Sequence, residues 1–102
     1  MRDNDFSEKF DQFRRLRDKS LSGLKKCKRL WQPDKIEKMG FVRVRSEYFS
    51  EGIEEHEFHE FEKDKERVVY LESYIDREGG MYIQSLFASP KLINKLESED
   101  SL

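Results

Sequence analysis

The hydrophobic period of this chain changes at Gly40, and that change limits the fold more than any other feature. Before it, apolar residues recur every three or four positions; after it, they alternate. Apolar residues at every second position give a strand one core-facing side, whereas a three-to-four spacing draws a stripe along a helix. The two patterns occupy separate blocks, which points to an α+β domain.

In "FVRVRSEYF" the alternation places Val42, Val44 and Tyr48 on one face and Arg43, Arg45 and Glu47 on the other. The following "SEG" suits a three-residue hairpin loop, since its glycine stands where positive φ is required. Phe49 then faces Ile53. Counting outward sets Arg45 against Glu57, Val44 against Phe58, Ser46 against His56, Arg43 against His59 and Glu47 against Glu55. Glu and Lys also favour a helix over residues 51–67, but the hairpin register favours a strand. "RVVYLESYI" alternates Val69, Leu71 and Ile75 with Val68, Tyr70 and Tyr74. "DREGG" reads as a turn, "MYIQSLF" as the last strand, and "SPKLINKLE" as a short helix with Ser89 at its N-cap and Pro90 at its first position.

Residues 5 to 31 read as one long helix. Its stripe holds Phe6, Phe10, Phe13, Leu24, Cys27 and Trp31, broken by Arg17 and Ser20 and widened by Leu16, Leu21 and Leu30. "SLSG", Ser20 to Gly23, is its weak point, and Pro33 is expected to end it. The expected fold is therefore a long N-terminal helix packed on a four-stranded antiparallel meander, followed by a short C-terminal helix. The whole chain, 1–102, reads as a single domain with loose ends at about 1–4 and 98–102. One sheet face should carry Val42, Val44, Tyr48, Phe58, Val68, Tyr70, Tyr74, Tyr82 and Leu86. The other should carry Val69, Leu71, Ile75, Met81, Ile83 and Phe87. One long helix covers one face, so apolar surface is left over for a partner, and a homodimer is the commonest solution.

Composition decides whether such a chain folds. Charged residues make up 41% and hydrophobic ones 35%, a balance that approaches disorder, but net charge is only −2 and aromatics reach 13%. Each fully buried aromatic is worth about 1.5–3 kcal/mol, which favours a folded domain. The single Cys27 excludes an internal disulfide framework. The start "MRDNDFSEKF" lacks the apolar run of a secretory leader, and no apolar stretch approaches a membrane span. The expectation is a cytoplasmic protein in a reducing compartment, with no membrane contact and no cofactor.

"EEHEFHEF" is the stretch that most invites a chemical reading. Zincins place two histidines four apart on a helix, whereas His56 and His59 are three apart, and on a strand they point to opposite faces. Glu72 is expected near Tyr82 or Gln84 and paired with His56, with His59 solvated. Cys27 fits a small core residue, although Lys26 and Lys28 beside it could activate the thiol. "EGGM" lacks the pattern of a phosphate-binding loop.

Charge is segregated along the chain. Arg14, Arg15, Arg17, Lys19, Lys25, Lys26, Lys28 and Arg29 form a basic block that Arg43 and Arg45 can extend. Glu51, Glu54, Glu55, Glu57, Glu60, Glu62, Asp64 and Glu66 form an acidic one. A charge run is first of all a solvated face, and beside that three uses of such asymmetry are open: internal pairing, pairing between copies, and phosphate contact by a basic helix. The reading that results is a small non-enzymatic interaction or regulatory protein that self-associates. Its size and lack of motifs fit proteins encoded by viruses or mobile elements. The alternative is a nucleic-acid-binding module built on Arg14, Arg15, Arg17, Lys25, Lys26, Lys28, Arg29, Arg43 and Arg45, with Glu54, Glu55, Glu57, Glu60 and Glu62 as a separate acidic interaction face.

Overall fold

The alternation after Gly40 becomes four long strands: β2 (Val42–Glu51), β3 (Glu54–Lys63), β4 (Glu66–Ile75) and β5 (Met81–Ala88). The computed structural model describes residues 2–100, with side chains for 8–95 and 97. Before the strands come α1 (Arg2–Leu21), β1 (Lys25–Lys26) and α2 (Pro33–Lys38), and after them α3 (Pro90–Asp100). The sheet is antiparallel, in the order β1-β5-β4-β3-β2. It has five strands rather than the expected four, because β1 joins the edge of β5 through Lys25 opposite Ala88 and Lys26 opposite Phe87. Of the ends expected to be loose, residues 2–4 and 98–100 are helical, and 1, 101 and 102 lie outside the described residues.

The single helix expected over 5–31 stops at Leu21, at the "SLSG" weak point. Gly23 adopts φ +80, a left-handed conformation that ends the helix. Pro33 does not terminate a helix here. It opens α2 with Gln32 as N-cap, because its missing N–H and fixed φ suit a first helical turn. Between the two helices the chain crosses from one side of the sheet to the other around the β5 edge, with β1 as the crossing. The apolar stripe is therefore divided. Phe13, with Phe10, Leu16, Leu21 and Leu24, packs on Phe49, Phe58 and Val69 of one face. Cys27 and Trp31 join Ile36, Phe41, Phe61, Val68, Tyr70, Leu86, Ala88 and Leu92 on the opposite face. The α3 stretch "SPKLINKLE" also offers Leu96 as an apolar residue, but that side chain lies outside the described residues.

The first hairpin differs in register from the expectation. Glu51 faces Glu54 across a two-residue loop, Gly52–Ile53, with Gly52 at φ +59. A glycine with positive φ in the first loop position is the mark of a II′ turn, not of a three-residue loop with glycine last. The strands shift by three residues: Arg45 faces Glu60 rather than Glu57, Ser46 faces His59, Glu47 faces Phe58, and Phe49 faces His56. An odd shift turns the side chains over. Phe58 thus lies under α1, not with Tyr70, and the unfavourable Glu47–Glu55 pair does not form. An irregularity at Val44, between Arg43 and Arg45, adds a further half-turn of register. Val42, Val44 and Tyr48, expected in the core, are exposed on the edge strand.

The β4–β5 register and its faces match the alternation read from sequence, joined by the residue 76–80 turn. Between β3 and β4 the loop is Asp64–Lys65, both at positive φ. At α3, Ile93 N–H donates to the Ser89 carbonyl, while the Ser89 hydroxyl donates to Glu66 instead of capping the helix.

Candidate functional site

Residues directly opposite in an antiparallel sheet share a face, so the registers give a grid on the side of α2 and α3. Its rows are Ser50–Glu55–Tyr74–Tyr82, Tyr48–Glu57–Glu72–Gln84, Ser46–His59–Tyr70–Leu86 and, past the Val44 irregularity, Arg43–Phe61–Val68–Ala88. Trp31, Ile36, Phe41 and Leu92 pack on Phe61, Val68, Tyr70, Leu86 and Ala88 of the last two rows. The first two rows stay open, and Tyr48, Tyr74 and Tyr82 are 60%, 40% and 57% exposed.

This open half forms a cavity of about 250 Å³. The Tyr82 hydroxyl donates to Glu72, as does that of Tyr70 at 3.3 Å, and Tyr48 donates to Glu55 at 3.0 Å. Glu57 stands opposite Glu72. Burial, then the hydrogen bond and negative charge of Glu57, push the Glu72 carboxyl above the usual carboxylate range. Glu57 is held below that range by the hydrogen bond from Glu72 and, against its own burial, by His59. At the inner border, His59 bonds Ser46 at 2.7 Å and Glu57 at 3.3 Å and stacks on Tyr70.

The second open feature is the edge of β5. The Cys27 N–H donates to the Leu86 carbonyl at 2.7 Å, so Leu86 turns its backbone groups toward β1. Backbone direction alternates along a strand, and Tyr82 and Gln84 therefore turn theirs the same way, beyond the end of β1. Among the described residues no segment pairs with this part of the edge. "MYIQSLFA" contains no charged residue, no glycine and no proline, and Met81 and Ile83 are 52% and 47% exposed. The other edge, β2, carries Arg43, Arg45, Glu47 and Glu51 and the Val44 irregularity.

The basic residues do not form one helical block. Arg14, Arg15 and Arg17 are on α1, with Arg14 paired to Asp11 at 2.9 Å and Arg17 to Asp18 at 3.4 Å. Lys25 and Lys26 are exposed on β1, and Lys28 and Arg29 follow it in a loop, because α1 has already ended. Arg43 and Arg45 lie at the far edge of the sheet, near Glu37 and Glu47. The acidic residues divide as well. Glu55 and Glu57 face the open cavity, whereas Glu54, Glu60 and Glu62 share the α1 face. There Glu60 accepts from Ser20 at 2.9 Å and from Arg67 at 3.3 Å, and Arg67 also donates to the carbonyls of Ser20 and Ser22.

No protein-family model matches the chain. No curated protein and no solved structure matches it either.

The histidines point to opposite faces, as the period of two requires. Their partners differ from the expectation, because the register moved. His56 is buried among Phe10, Phe13 and Phe49 and bonds Ser73 and Glu54, away from Glu72 and Ser46. His59 is half-buried rather than solvated. Among the described residues no group of three His, Cys, Asp or Glu side chains is placed to hold a metal ion. Cys27 is a core residue, and its thiol is pushed up to about 11 by burial and then by Glu97, not lowered by Lys26 or Lys28. No described helix is long and apolar enough to cross a membrane.

The tyrosine-lined cavity was missed in the sequence because its members come from all four long strands. The signal that could have found it is the alternation of Glu55 with Glu57 on β3 and of Tyr70, Glu72 and Tyr74 on β4, flanked by Tyr48 and Tyr82.

Proposed function

We propose that the protein is a small non-enzymatic interaction module that works as a homodimer, its copies joined antiparallel through their β5 edges. The observation that carries this reading is the charge-free stretch Met81–Ser85, whose outer edge has no strand partner among the described residues, with Met81 and Ile83 exposed. Natural sheets guard open edges with charges, prolines or bulges. The β2 edge has such guards and β5 has none.

Because Tyr82 and Gln84 turn their backbone groups outward, the register that pairs them places Tyr82 opposite the partner's Gln84, with Ile83 on the two-fold axis. β1 limits the contact, since it already occupies the end of β5 from Leu86. One sheet then runs through both copies, and Met81 and Ile83 gain cover from their counterparts.

Light scattering at a concentration on the order of tens of micromolar should return twice the chain mass. Ile83→Lys should return the monomer mass with an unchanged circular dichroism spectrum. In the paired register, two Ile83→Cys side chains meet at a non-hydrogen-bonded position with Cα atoms about 4.5 Å apart, within disulfide range. Oxidation should therefore crosslink that variant. A monomer mass for the unmodified protein, or a dimer that Ile83→Lys leaves intact, overturns the reading.

A further inference from the structure

Edge pairing leaves the tyrosine-lined cavity open, and its chemistry is specific enough to name an occupant. We propose that it receives the guanidinium group of an arginine side chain carried by a basic segment of a partner protein.

The charge argument comes first. The eight residues of the two open rows include three carboxylates, Glu55, Glu57 and Glu72, and no lysine or arginine. Like charges directly opposite in a sheet are destabilising, and Glu57 faces Glu72 in this way. Burial, and then the facing Glu57, raise the Glu72 carboxyl above the usual range, and the cationic groups that act on Glu57 are His59 at the border and Arg43 beyond it. A cation seated between the two carboxylates relieves that repulsion.

The rings then select the kind of cation. Tyr48, Tyr74 and Tyr82 wall the cavity and are among the most exposed aromatics of the protein. The hydroxyls of Tyr48 and Tyr82 already engage Glu55 and Glu72, which holds those carboxylate oxygens in place within the cavity. A guanidinium is planar, stacks on aromatic faces, and forks two N–H groups onto carboxylate oxygens. An ammonium does not stack in this manner and is more strongly hydrated. The size agrees: a cavity of about 250 Å³ falls just below the range of about 300–1,000 Å³ that holds drug-sized molecules, and suits one side-chain head. The acidity repels nucleic acid, which leaves a basic protein as the source.

The test is an NMR titration with three short peptides that differ at one residue: arginine, lysine, or citrulline, the neutral isostere of arginine. Amidated free arginine serves as a fourth ligand and separates a chain-borne side chain from a free metabolite. The arginine peptide should shift the ring resonances of Tyr48, Tyr74 and Tyr82, the lysine peptide should bind several-fold more weakly, and citrulline should not bind. The peptide should also bind more tightly than the free amide. Glu57→Gln combined with Glu72→Gln, which removes charge while keeping shape, should weaken arginine binding at least tenfold with an unchanged circular dichroism spectrum. Repeating the titration in Ile83→Lys keeps this result separate from self-association, since the cavity survives in a monomer. Equal binding of citrulline, shifts confined to residues outside the cavity, undiminished binding by the double variant, or no binding at millimolar peptide overturns the proposal.

Discussion

Arg67 is where one side chain decides most about the position of α1. Its guanidinium donates to the Ser20 carbonyl at 2.9 Å and the Ser22 carbonyl at 2.6 Å, and pairs with Glu60. The last carbonyls of a helix have no intrahelical donor, and a cation there also suits the helix dipole. Ser20 is 5% exposed and donates to the same Glu60. Arg67→Ala removes hydrogen bonds to a charged donor, each worth about 1.5–3 kcal/mol. A loss of about 2 kcal/mol in urea unfolding should follow, with α1 amides exchanging faster than those of β3 and β4. In the sequence, Ser20 looked like a break in an apolar stripe and Glu60 like part of an acidic surface. Neither could be read otherwise, because their partner lies on β4, far along the chain.

Glu72 gives a second test at the same scale. Its folded value is raised, so the folded state binds the proton more strongly than the unfolded chain does. The stabilising contribution is complete below the ordinary carboxylate range and is lost as pH rises through the raised value. Glu57 is shifted the other way, and its contribution is lost as pH falls through its lowered value. Glu72→Gln removes the first loss, while its amide N–H can still donate to Glu57. Urea unfolding over about pH 4–8 should show that the variant gains on the wild type as pH rises, and that the two converge at the acidic end.

Among the elements, the first hairpin taught most about what a sequence discloses. Alternation marked β2, and the hairpin reading marked β3 over a competing helix, yet their pairing depended on which loop position Gly52 takes. The glycine first in a two-residue loop and the glycine last in a three-residue loop are both sound solutions to positive φ. They differ by an odd shift, which moves Phe58 from one face to the other. Phe58 is fully buried beneath Phe13, so the tertiary contact with α1 chooses between them. The later strands needed no such choice, since β4 and β5 are apolar on alternating positions of both faces. At Gly52 a Cβ would have free space around it, so only the backbone opposes substitution. Gly52→Ala should lower stability by about 1–2 kcal/mol, read as a fall in melting temperature without loss of strand content. The two-residue β1 and the six-residue α2 were not legible. β1 is two exposed lysines with no alternation, and α2 buries only Ile36. Both exist because the chain must pass around the β5 edge to bring Trp31 and Phe41 to the second face.

At the scale of the molecule, the fold class and the presence of surplus surface were legible, while its location was not. The radius of gyration is 15.0 Å, against about 13 Å for a compact domain of this length, and the extents are 51 × 30 × 20 Å. Long strands covered over part of their length account for the difference. The charge segregation seen in the sequence disperses in space, because β3 alternates its glutamates between faces and the lysines after α1 pass to the opposite edge from Arg43 and Arg45. A periodic sequence shows which residues share a strand face, but not which half of that face a helix will cover.

The irregularity at Val44 has a bearing on how far assembly can go. A molecule with two adhesive sheet edges is bivalent and adds copies without end, as in a fibre; one with a single adhesive edge is monovalent, and its assembly stops when that edge is used. In a β5-joined pair both outer rims are β2, where the broken ladder and Arg43 and Arg45 would meet their like across any further seam. Raising the concentration should therefore leave the scattering mass at a plateau of two chains, with no slow growth of larger species.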